Sequence, residues 1–156
     1  MIFSLILTAM LQEIPSEPIL WRDLRAGMPK SQVKTLYPKY RAEVVEGCPV
    51  QVLSTYKKDN LRTVILVNTI NSPPCSDRVR LDLVQAYGSP QMERSGTEET
   101  GTVSAGSSVS SFSHHRHDET WVIGPLRILF VTFPGSHKGY NIIFSKASEG
   151  LVSGYR

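Results

Sequence analysis

The chain has 156 residues, 40% of them hydrophobic and 20% charged, with a formal net charge of +3. That balance excludes a disordered chain and suits one domain or two small packed halves. It is too dilute in basic residues for a nucleic-acid footprint, and no apolar run approaches the roughly 20 residues of a membrane-spanning helix.

Residues 1 to 11 carry no charge, and Gln12, Glu13 and Pro15 follow. A short apolar stretch at this position reads as a signal peptide or an apolar N-terminal segment, which favours a periplasmic or secreted protein over a cytoplasmic one. The two cysteines agree with that reading. Cys48 follows Glu46-Gly47 and precedes Pro49, and Cys75 follows Pro73-Pro74. Both occupy turn-like segments, with no C-x-x-C pair and no four-ligand zinc set, so a single structural Cys48–Cys75 disulfide is expected.

Residues 12–148 read as one domain of two similar halves, about 20–70 and 75–146, followed by a tail over 149–156. In the first half, Pro29 suits the first turn of a helix whose apolar face is Val33, Leu36 and Tyr37, and Pro38 stops it. Strands are expected over 40–46, 50–56 and 61–69, with Asp59-Asn60 turning the last pair. In the second half, Ser76 reads as the N-cap of a helix with Val79, Leu83 and Tyr87 on one face. Gly88 and Pro90 end it. The Ser-, Gly-, Thr- and Glu-rich residues 95–111 read as a loop or edge hairpin. Strands then follow over 112–115, 119–123, 126–133 and 140–145. Short connections imply antiparallel pairing. The expected fold is therefore α+β: two tandem helix-plus-strand units forming a two-layer sandwich, with the helices on one face of the sheet.

The stretch Leu24-Arg25-Ala26-Gly27-Met28-Pro29-Lys30-Ser31-Gln32-Val33 resembles the helix opening of SmpA/BamE and β-lactamase-inhibitor-like domains, and Leu83-Val84-Gln85-Ala86-Tyr87-Gly88-Ser89-Pro90 repeats the theme. The lipobox cysteine of the outer-membrane lipoproteins is absent from the leader. The resemblance spans about residues 20–146 and implies binding of another protein in the cell envelope.

Four histidines stand out: His114, His115, His117 and His137. On a strand His115 and His117 share a face, and with His137 they form a candidate metal set to which Asp118 and Glu119 offer oxygen ligands. Arg116 between them opposes a cation, so a solvated hairpin is the competing reading. Asp77 and Asp82, beside Arg78 and Arg80, read as an ordinary charged helix face. There is no nucleophile elbow, phosphate-binding loop or dinucleotide fingerprint, so no catalytic residue and no cofactor is assigned. The strand over 126–133 is apolar on both sides: Ile128 and Phe130 on one, Leu129, Val131 and Phe133 on the other. A half-solvated strand alternates instead. With Tyr56, Trp121, Arg127 and Tyr140, the second side forms a candidate recognition surface. The leading expectation is an exported, non-enzymatic protein that binds a protein or envelope component through a sheet face. The alternative is a small metal-dependent or hydrolytic enzyme using the His114–His117 hairpin.

Overall fold

A computed structural model describes residues 17–38, 41–69, 72–105, 108–135 and 139–149, with the backbone alone over 98–105 and 108–114. The apolar N-terminal segment, His137 and all but the first residue of the tail lie outside the described residues.

The elements in chain order are β1 (Ile19–Trp21), β2 (Leu24–Arg25), α1 (Lys30–Leu36), β3 (Arg41–Val45), β4 (Cys48–Lys57), β5 (Asn60–Asn68), α2 (Pro73–Tyr87), β6 (Met92–Ala105), β7 (Ser108–Ile123), β8 (Leu126–Thr132) and β9 (Tyr140–Lys146). Strands β3 to β9 form one seven-stranded sheet in the order β3-β4-β5-β9-β8-β7-β6, with every pair antiparallel. The β1–β2 hairpin stands apart as a two-stranded sheet.

The expected tandem α+β sandwich is overturned by this architecture. Among the described residues the chain is mostly strand, and its two helices have only 7 and 15 residues. The physical reason lies in residues 92–123. Of these, 95–111 read as a loop or edge hairpin from their Ser, Thr, Gly and Glu content; the hairpin is the outcome, and its strands are far longer than expected, at 14 and 16 residues. Backbone pairing needs no large apolar side chain, so a polar hairpin can be long. This hairpin gives the second half a sheet far larger than its helix covers, and the halves are not equivalent units.

Helix α2 begins four residues earlier than an N-cap at Ser76 would place it, with Ser72 as the N-cap. Pro73 and Pro74 occupy the first turn, where a missing N–H costs nothing, and Ser76 instead donates its hydroxyl to the Pro73 carbonyl at 3.0 Å. Gly88 ends the helix at φ +80°, and its N–H closes on the Val84 carbonyl at 2.8 Å. The β4–β5 turn places Lys58 and Asp59 at φ 50° and 62°, so these two residues form the turn rather than Asp59-Asn60.

One core holds the fold together. Val33 of α1, Val79 and Leu83 of α2, and Leu20 and Leu24 of the small hairpin pack with Val50, Val52, Val64, Leu66, Ile128, Phe130, Ile142 and Phe144 of the sheet. Trp21 stacks beside Phe144 at 5.5 Å between ring centroids. The bridge Cys48–Cys75, with Cα atoms 5.8 Å apart, clamps the start of α2 to β4. No helix among the described residues is long and apolar enough to cross a membrane.

The other sheet face is also apolar at its centre. Register sets Leu53, Ile65, Ile143, Leu129, Thr120 and Met92 in one row across six strands. Its centre is inaccessible: Leu129 is 8% exposed and the neighbouring Val131 2%. Both margins are open: Met92 is 50% exposed and Val122, diagonal to it on the same face, 43% on the β6 side, and Val44 of β3 is 65% exposed on the other.

Candidate functional site

A cleft of about 310 Å³ opens between the first half of α2 and the ends of β7, β8 and β9. Strand register explains its chemistry. On the core face, Ser95, His117, Thr132, Tyr140 and Asn68 follow one another across β6, β7, β8, β9 and β5. The next row inward is Glu93, Glu119, Phe130, Ile142 and Leu66. A polar row therefore caps the apolar core, and its neighbour turns acidic toward β6. Helix α2 adds Ser72, Ser76, Asp77 and Arg80 from above.

Glu119 is the central group. Its side chain is buried, and Arg80 reaches down from α2 to hold it: Nε donates to both carboxylate oxygens at 2.9 Å, and Nη2 to Oε1 at 2.6 Å. The fork of donors matches a carboxylate in shape as well as charge. The hydrogen bond to Glu119 is the main cause holding the Arg80 guanidinium above its ordinary pKa, with Glu93 and Asp77 adding to it. His117 lies beside this pair, its Nδ1 2.8 Å from the Ser95 hydroxyl. One ligand atom each of Glu93, His117 and Glu119 falls within 4.8 Å of the others.

Tyr140 forms another wall. Its ring sits 5.6 Å from Phe130, and its buried hydroxyl has no hydrogen-bond partner among the described residues. The ring reaches this position because Gly139 precedes it: a Cβ there would stand 2.0 Å from the Asn68 carbonyl oxygen. Burial pushes the Tyr140 phenol above its ordinary pKa, opposed by Arg78. A raised phenol pKa gives the folded state more bound protons than the unfolded state once pH passes about 10, so stability declines above that pH. Denaturant titrations at pH 8 and 11 are expected to show this decline in the native protein and a smaller one in Tyr140→Phe. At pH 8 that variant should be as stable as the native protein or more so, because it removes an unsatisfied buried hydroxyl.

The structure separates the residues expected to form one recognition surface. Tyr56 is half-buried against the core, with the Lys30 ammonium 5.4 Å from its ring centroid. Trp121 is buried on the helix side of the sheet, and its Nε1 donates to the Gly88 carbonyl at 2.8 Å. Leu129 and Val131 belong to the opposite face and are buried in the chain. Arg127 is committed to the carbonyls of Ala147 and Glu149. Glu149, the first residue of the expected tail, is itself tied to Arg62 at 3.0 Å. Phe133 and Tyr140 line the cleft instead.

The histidine set is rearranged too. His115 is exposed, the His114 side chain and His137 lie outside the described residues, and His117 groups with Glu93 and Glu119. Sequence reading missed Glu93 and the pairing of Arg80 with Glu119. The spacing 117, 119, 121 was the available signal, since it puts Glu119 on the inward face that Trp121 identifies.

No protein-family model, curated protein or solved structure matches the chain.

Proposed function

We propose that this protein is an exported, non-catalytic module that binds another protein or an envelope component through its antiparallel sheet. The observation that carries this reading is the open end of the sheet at β6. Among the described residues β6 has a strand on one side only, so a row of backbone donors and acceptors faces outward over 14 residues. Met92 and Val122 lie exposed beside it. An unpaired edge with apolar anchors at one end is the geometry that receives an added strand: main-chain bonds supply affinity and side-chain contacts supply selection. The Cys48–Cys75 bridge supports an oxidising compartment. Leu129 and Val131 are buried, so this reading rests on the edge and not on the centre of the sheet face.

The paired substitution Met92→Lys with Val122→Lys tests the reading. Both positions are exposed, so the melting temperature should stay close to that of the native protein. Capture of an envelope component by the immobilised protein should fall at least tenfold. Undiminished capture by this variant, or no specific capture by the native protein, overturns the proposal.

A further inference from the structure

We infer that Glu93, His117 and Glu119 form a binding site for a divalent transition-metal ion of the zinc type, at the β6–β7 wall of the cleft. The site takes Glu93 from the edge strand β6 but does not rest on the partner-binding proposal. It keeps His117 of the histidine hairpin, but His115 does not join the group.

Three features support the assignment. The first is the donor set. One imidazole nitrogen and two carboxylate oxygens, none more than 4.8 Å from another, come from adjacent positions of paired strands: Glu93 lies directly across from Glu119, and His117 is two residues along β7 on the same face. Bonds of about 2.0–2.2 Å to zinc separate neighbouring ligands by about 3.4 Å, so the group must close by up to about 1.4 Å. Glu93 is exposed and can supply that movement. Mixed nitrogen and oxygen donors suit zinc over calcium or magnesium, which take oxygen.

The second feature is the way the ligands are held. The Ser95 hydroxyl engages His117 Nδ1, which fixes the ring and leaves Nε2 without a partner among the described residues. Arg80 fixes Glu119 and places two donors on Oε1 but one on Oε2. Oε2 therefore retains a lone pair. Partners of this kind, one shell out, orient the ligands of metal centres. Charge agrees with the geometry. The carboxylates of Glu93, Glu119 and Asp77 all act on the guanidinium of Arg80.

The third feature is the Tyr140 hydroxyl. It is the unpartnered polar atom of a residue only 1% exposed, on the wall of the same cleft and two strand spacings from His117. Three protein ligands leave a fourth coordination position for water or another small ligand, and a molecule held on the cleft side of the ion would give this hydroxyl a partner.

Calorimetric titration of the full chain with Zn²⁺ at pH 7 tests the site. The native protein should bind one equivalent saturably, and a variant with His114, His115 and His137 all changed to Ala should bind it equally well. His117→Ala and Glu93→Gln should each weaken binding at least tenfold. Glu93 is exposed, so Glu93→Gln reports on the site even where the His117 variant folds poorly. A tenfold excess of Ca²⁺ should not compete. The inference is overturned if Glu93→Gln binds like the native protein, if the triple histidine variant loses binding, or if Ca²⁺ displaces the zinc.

Discussion

Trp121→Ala is expected to lower the unfolding free energy by about 3–5 kcal/mol, the range for truncating a large buried aromatic. The indole is fully enclosed on the helix side of β7, directly across from Ile128. Its Nε1–H also reaches the Gly88 carbonyl at the C-terminal end of α2, where helix carbonyls lack partners of their own. Truncation therefore opens a cavity between sheet and helix and removes a donor from the helix end. For a chain of this size the loss corresponds to a fall in melting temperature of about 6–20 °C. Trp121→Phe keeps much of the packing but not the hydrogen bond, so it should fall between the two. A loss below about 1 kcal/mol in Trp121→Ala would mean that the indole does not join α2 to the sheet.

Removing the disulfide should have an effect of similar size. In the chain-entropy picture, a bridge closing a 27-residue separation contributes about 3.5 kcal/mol by restricting the unfolded chain. The double variant Cys48→Ala with Cys75→Ala leaves no free thiol to confuse the comparison. Equilibrium unfolding of this variant and of the native protein gives the difference directly. Mass measurement after alkylation checks the premise, since neither cysteine should be labelled without reductant. Hydrogen exchange should rise first in the early turns of α2, because the bridge ties Cys75 to β4 there. Equal stability of the two proteins, with the native cysteines protected from alkylation, would show that the bridge constrains a segment already compact when unfolded.

Much of the local structure was legible because it rests on punctuation and periodicity. Pro29, Pro38, Gly88 and the apolar spacing of Val79 and Leu83 locate both helices, and the β-branched runs locate β3, β4, β5, β8 and β9. The turn-flanked cysteines pointed to their bridge. What failed is informative. The β6–β7 hairpin carries few large apolar residues along its outer part, so its pairing left no alternating pattern to read. The two-sided apolarity of Leu126–Thr132 was real but came from burial of Leu129 and Val131 as well as Ile128 and Phe130. Such a strand sits third from the β6 edge and is shielded on both sides. At the cleft, grouping histidines by residue type hid the group that register assembles. Glu93 and Glu119 are 26 positions apart in the chain but directly opposite in the sheet. Arg80 resembled a solvated helix residue because nothing in its neighbourhood reveals a carboxylate on the strand below.

The open margin at β6 also bears on how copies of this chain avoid one another. Alternate residues of this 14-residue strand point their backbone groups outward, which is enough to template another copy, and continued addition would build a fibril. The composition of the margin works against that outcome. Gly96 and Gly101 offer an incoming strand no side chain to interlock with, Glu93 and Arg94 place charge along it, and the irregularity between Glu99 and Gly101 breaks the repeat that stacked copies need. A strand that docks here must bring its own apolar groups to Met92 and Val122, which β6 itself, with Met92 at one end, supplies poorly. The polar character that disguised the strand in the sequence also works against its templating further copies.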